Sequence, residues 1–174
     1  FFKFDYCYVW DEFYVKLLSA LRADEKQFVI EIPESMKIKK ERTCHYDYTY
    51  YLGGENRKEM EIIAGYLNLL LERGNMISIR PHPRYSKKED VEICFKNFNI
   101  ENFNNISIED SLCDTKAAIS LYSTVLNQAL SNNIDIVIDD LTNPDHFKKL
   151  KCLKYICINK PNKKLSEIID GEIS

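Results

Sequence analysis

Met76-Ile77-Ser78-Ile79-Arg80-Pro81-His82-Pro83 is the stretch on which the fold turns. Alternation over Met76–Ile79 predicts a short β-strand, and a helical pattern begins at Ser86. A cation and an imidazole are therefore delivered to the carboxyl end of a strand, where open α/β sheets bind their ligands. Pro81 and Pro83 fix φ on either side of His82 and restrict the residues before them. A histidine held in one orientation suits a phosphate ester. A plain Pro-rich strand exit with a surface histidine reads the same way, so the choice rests on the rest of the chain.

Working outward, Phe4–Val9 reads as a strand and Trp10–Leu21 as an amphipathic helix, with Trp10, Phe13, Tyr14, Leu17, Leu18 and Leu21 at helical spacing. Gln27–Ile32 is a strand stopped by Pro33, and Glu34–Thr43 is polar and basic, as a linker would be. Tyr46–Leu52 is an aromatic strand that ends in Gly53-Gly54. Arg57–Glu72 is a helix closed by Arg73-Gly74. Lys87–Phe95 follows as a helix, Asn97–Asn105 as an Asn-rich loop, and Ile106–Ile108 as a short extended segment. Beyond these come strand Ala117–Leu121, helix Thr124–Leu130, strand Ile134–Ile138, helix Asp145–Leu150, strand Tyr155–Ile158 and a weak helix at Lys164–Ile169. Alternation of this kind predicts an α/β domain: a Rossmann-like parallel sheet with helices on both faces. Residues 1–43 are expected to be the end of a preceding domain and a linker, and 44–174 the ligand-binding domain.

The chain has 174 residues, 45% of them apolar, enough for one core. A formal charge of −3 argues against a general nucleic-acid binder. The six cysteines form no CxxC pair and no zinc-finger spacing, which suits a reduced, cytoplasmic protein. No apolar run is long enough to span a bilayer. Lys37-Ile38-Lys39-Lys40 and Lys148-Lys149-Leu150-Lys151 read first as solvated surface, and second as attraction to an anionic substrate or to an anionic membrane surface such as the inner face of the cytoplasmic membrane. The opening Phe1-Phe2 lacks a Met, as expected of a mature secreted protein or of a piece of a longer protein, and the thiols favour the piece.

Ser123-Thr124 ends one strand and opens a helix. Hydroxyls there cap backbone N–H groups and leave the positive end of the helix dipole towards a ligand, a ready anion site. An ordinary N-cap is the bland reading. Position favours the anion site, because both this pair and His82 belong to strand exits of one crevice. Glu109, at the end of Ile106–Ile108, is placed to accept bonds from a ribose diol, and the bland reading is helix-start acidity. Gly53-Gly54 lets backbone approach a ligand closely, or is a plain turn. Asp139-Asp140 reads as two solvated loop carboxylates rather than a metal site.

Arg80-Pro81-His82-Pro83, then Glu109, then Ser123-Thr124 resembles the donor-binding half of bacterial sialyltransferases of GT-B architecture. Those enzymes carry His-Pro, an acidic residue and a Ser-Ser or Ser-Thr pair, and Glu109 and Ser123 stand 27 and 41 residues beyond His82. The resemblance spans about Tyr46 to Ile158. It implies the C-terminal half of a GT-B fold and an inverting, metal-independent glycosyltransferase of surface glycans such as lipopolysaccharide or capsule. The donor implied is a CMP-sugar, with a glycan as acceptor and no separate cofactor. His82, Ser123 and Thr124 would hold the phosphate, Glu109 the ribose, Arg80 the phosphate or base, and Gly53 and Gly54 would line the site. The family's general base lies in an acidic-acidic-Gly motif that this chain lacks, so it would come from an N-terminal domain outside the chain. Two other readings fit the same residues: a CDP-glycerol-type polyol-phosphate transferase, and a nucleotide-binding domain without catalysis.

Overall fold

The computed structural model describes residues 5–10, 12–20, 27–121, 123–153, 156–159 and 162–171. Phe4, Leu21 and Tyr155, each an expected element end, lie outside them. The chain divides into two compact units, residues 1–37 and 38–174. The first is a small parallel pair, β1 (Cys7–Val9) and β2 (Phe28–Ile30), joined through α1 (Glu12–Ser19).

The second unit carries the main sheet. Its strands are β3 (Tyr46–Tyr51), β4 (Ile77–Arg80), β5 (Asn99–Ile100), β6 (Thr115–Ser120), β7 (Asp135–Ile138) and β8 (Lys163–Lys164). They are all parallel and lie in the order β5-β4-β3-β6-β7-β8. From β3 the chain winds outward to β5, then returns to the other side of β3 and winds outward again. This is the doubly wound order, and its switch point lies between β3 and β6. The helices are α2 (Arg57–Glu72), α3 (Lys88–Cys94), α4 (Ile108–Cys113), α5 (Thr124–Ser131), α6 (Pro144–Cys152), α7 (Ile156–Asn159) and α8 (Leu165–Gly171).

Alternation along the strands makes two cores. Tyr50, Ile77, Ile79, Ile119 and Val137 face one layer with α2, α3 and α8. Tyr51, Ala118, Ile136 and Ile138 face the other, with Leu112 of α4, Leu126 and Ala129 of α5 and Cys157 of α7. Helix α2 forms where the sequence says it should. Asn56 and Glu59 make a reciprocal capping box, and Met60, Ile63, Ala64, Leu67 and Leu70 are buried at helical spacing. Each large apolar side chain so buried contributes roughly 1.5–3 kcal/mol. The helix ends as Gly74, at φ +89°, donates to Leu71 and Asn75 donates to Leu70. That pair of bonds needs the left-handed conformation that glycine adopts freely.

Three expectations are corrected. The segment 106–108 is not a strand: Ser107 caps α4 by accepting the Asp110 N–H at 3.0 Å, and Ile108 is already helical. The strand lies earlier, at Asn99–Ile100, inside the Asn-rich stretch read as a loop. Likewise the described part of Tyr155–Ile158 is helical, and Lys163–Lys164 forms the edge strand instead. Both edge strands have two residues and little apolar signal; backbone pairing with β4 and β7 defines them. Finally, the linker ends sooner than expected. Ile38 donates to Asn132 at 2.9 Å, Lys39 to Glu109 at 2.8 Å and Arg42 to the Thr115 carbonyl at 2.7 Å, so 38–43 belong to the second unit.

One polar network lies inside this unit. Arg80 donates to Glu101 at 2.8 Å and to the Ile106 carbonyl at 2.9 Å. The other Glu101 oxygen accepts from Ser111 at 2.9 Å and Ser78 at 3.3 Å, and Tyr51 and Ser111 hydroxyls meet at 2.9 Å. Arg80 and Glu101 are both buried. Removing one partner of a buried pair strands the other charge, at about 3–5 kcal/mol. Arg80→Met should therefore lower unfolding free energy by about that much in denaturant titration; a change below about 1 kcal/mol would show that the pair is not a buried strut.

Candidate functional site at the carboxyl edge of the sheet

The exits of β3, β4, β6 and β7 gather at one edge. Adjacent strands are about 4.8 Å apart, so the β4 and β6 exits are separated by about 10 Å, with the β3 exit between them. The Ser120 hydroxyl donates to the Tyr51 carbonyl at 2.8 Å and ties β6 to β3 just below this edge.

His82 sits two residues beyond β4, half-buried in a closed loop. Its N–H donates to the Ser86 hydroxyl at 2.8 Å and its carbonyl accepts the Ser86 N–H at 3.1 Å. Its Nδ1 faces the Arg84 N–H at 3.0 Å and the Tyr85 N–H at 3.3 Å, and the Tyr85 ring stacks on it with centroids 4.6 Å apart. Two donors at Nδ1 require a lone pair there, which puts the ring's proton on Nε2. Burial, and after it the charge of Arg84, holds the imidazole below its ordinary pKa. His82 is thus a neutral Nε2–H donor. The sign follows: folding favours the neutral ring, so this contribution is present above the ordinary imidazole range and fades as pH falls through the lowered value.

On the other side of β3, Ser123 caps α5 by accepting the Val125 N–H at 3.2 Å, and Thr124 opens the helix with its side chain exposed. Tyr122, between this pair and the strand, lies outside the described residues. Gly53 and Gly54 cross the middle. Gly53 donates to Glu55 at 2.6 Å, and a Cβ on Gly54 would meet nothing within 4 Å. Gly53, Gly54, His82, Ser123 and Thr124 are therefore on one edge.

Two expected contacts sit otherwise. Arg80 turns its guanidinium into the protein, where Glu101 and Ile106 hold it, so it is no free cation for a phosphate or a base. Arg84, 5.9 Å from the Tyr85 ring centre, is an exposed cation of this loop, as is Lys87. Glu109 follows no strand. It stands in the first turn of α4, with one carboxylate oxygen accepting the Lys39 N–H. Nor is Asp139-Asp140 a solvated pair. Asp139 is fully buried, accepting from Tyr50 at 2.6 Å, Leu141 at 3.0 Å and Thr142 at 2.9 Å, while Asp140 caps α8 through Ser166. Among the described residues no group of three or more His, Cys, Asp or Glu could hold a metal ion.

Sequence reasoning passed over the cavity beside the β3 exit. Gly54, Glu55, Glu59, Leu121, Asn143 and His146 line about 250 Å³ of space at the switch point. The available signal was Glu55 itself, a carboxylate directly after a glycine pair at a strand exit. Burial, with Glu59 and Asp139 nearby, raises its pKa above the ordinary carboxylate value.

Set against known protein families and against curated proteins, the sequence matches none. No helix among the described residues is long and apolar enough to cross a membrane.

Nitrogen-15 NMR of the imidazoles should find Nδ1 of His82 unprotonated at neutral pH, with a pKa below the usual value of about 6.5. Ser86→Ala, which opens the loop, should bring that pKa back up; a protonated Nδ1 would contradict the geometry.

Proposed function

We propose that this chain is the donor-binding part of an inverting glycosyltransferase that uses a CMP-linked sugar, most similar to the bacterial sialyltransferases. The observation that carries this reading is the pair of phosphate-directed elements flanking β3: the Nε2–H of His82 on one side and the Ser123-capped start of α5 on the other. A nucleotide phosphate between them would meet a neutral donor and the positive end of a helix. Arg84, rather than Arg80, would supply the cation, and Gly53-Gly54 would leave room for the phosphate beside the backbone. Glu109, held by the Lys39 N–H near the C-terminal end of α5, has no part in this site.

In the reaction, an acceptor hydroxyl attacks the anomeric carbon while the bond to the phosphate breaks, and cytidine monophosphate leaves with both electrons. Its growing charge is met by donors already in place. The proton of the acceptor hydroxyl goes to a base outside this chain. The six free thiols suit a reducing compartment, so we place the enzyme in the cytoplasm, with its lysine patches towards the inner face of the membrane.

Calorimetric titration of CMP into the chain tests this. Saturable binding is expected, equal in chelator and in magnesium. His82→Ala should weaken it by roughly 10-fold, about one charge-assisted hydrogen bond. Absence of saturable CMP binding, or binding that chelator abolishes, would overturn the reading.

A further inference from the structure

The cavity at the switch point has a chemistry opposite to that of the phosphate elements beside it. Among its described lining residues there is no lysine or arginine; two are glutamates and one is His146. Glu59 is fully engaged as a brace. One of its oxygens accepts the Asn56 N–H at 2.9 Å and the other the Asn143 side-chain amide at 3.0 Å. The Asn143 carbonyl oxygen in turn caps α6 at His146, at 3.1 Å. The starts of α2 and α6 are thereby cross-braced into a fixed wall.

Glu55 is different. It is nine-tenths buried, and one oxygen accepts the Gly53 N–H. Apart from its own backbone N–H, no described group donates to its other oxygen. Burial raises its pKa, so a hydroxyl that donates to it would ease the cost of its charge. The Leu121 side chain gives the cavity an apolar wall, and Gly54 leaves its mouth open.

A phosphate or carboxylate would be repelled from this space by Glu55, Glu59 and the nearby Asp139. A group that presents hydroxyls to an acceptor and C–H edges to a leucine would be received. The space, about 250 Å³, has room for a small polyol.

We propose that this cavity holds the neutral, hydroxyl-rich part of the group carried on the donor's phosphate, with Glu55 as its specificity-determining acceptor. The inference rests on the nucleotide-donor reading above and adds where the transferred group is recognised and by what chemistry. Both kinds of donor considered for this fold carry vicinal hydroxyls: the glycerol-like tail of a CMP-sialic acid and the glycerol of CDP-glycerol. Any carboxylate on the transferred group must point away from the cavity, towards Arg84.

The test compares each donor with its bare nucleotide by calorimetry on the 174-residue chain. CMP-sialic acid is set against CMP, and CDP-glycerol against CDP. At least one donor should bind roughly 10-fold or more tightly than its nucleotide, since hydrogen bonds to charged groups are the strong ones. Glu55→Ala should reduce that ratio to near one; because the ratio is taken within one variant, it is independent of what the lost Gly53 anchor does to nucleotide affinity itself. Glu55→Gln, which keeps an acceptor for Gly53, should lose part of the ratio. If neither donor outbinds its nucleotide in the parent chain, or if the ratio survives Glu55→Ala, the inference is wrong although the nucleotide reading stands. If no cytidine nucleotide binds at all, the nucleotide reading fails and takes the inference with it.

Discussion

Strand β3 ties down the turn after β7 and the loop after β5. Its last two residues are tyrosines that point into opposite cores, and each ends in a hydroxyl that holds a different strand exit. Tyr50 donates to Asp139, whose carboxylate also gathers the Leu141 and Thr142 N–H groups and so shapes the turn after β7. Tyr51 reaches Ser111, and through it Glu101 and Arg80, which hold the loop after β5. Burial raises the pKa of both phenols, so each remains neutral and able to donate. One central strand thus sets the positions of elements on both sides of the switch point, which is the requirement for a ligand that spans it.

The edge so built is electrically divided. Flanking β3, the Nε2–H of His82, Arg84 and the start of α5 would favour an anion. At the switch point, buried carboxylates disfavour one. A neutral His82 keeps the anion site free of a charge that would come and go near neutral pH, and the loop secures this by geometry, with two backbone N–H groups aimed at Nδ1. A nucleotide that carries a polyol on its phosphate would match this division end to end.

Much of the fold was legible in the chain because helix α2, strands β3, β4, β6 and β7, and their order of alternation rest on local signals: caps, periodicity and apolar runs. The placement of His82, Ser123 and Thr124 at one edge followed from that alternation. What escaped was whatever depends on distant partners. Arg80 reads as a free cation until Glu101, itself in a stretch taken for loop, is seen to bind it. Asp139 reads as a solvated carboxylate until Tyr50, 89 residues before it, is seen to donate to it. Ile106–Ile108 was mistaken because two isoleucines outweighed the Ser107–Asp110 cap. Glu55 went unremarked because a glutamate after two glycines resembles any turn, and only the packed structure shows it buried.

The central claim is that a cytidine nucleotide lies across the carboxyl edge with its phosphate between His82 and the start of α5. Amide chemical-shift mapping of the nitrogen-15-labelled chain on addition of CMP tests this most directly. The account predicts the largest changes at His82, Arg84, Gly53, Gly54 and Thr124. Changes gathered instead at the opposite edge, around His45, Asp114 and Lys116, would contradict it.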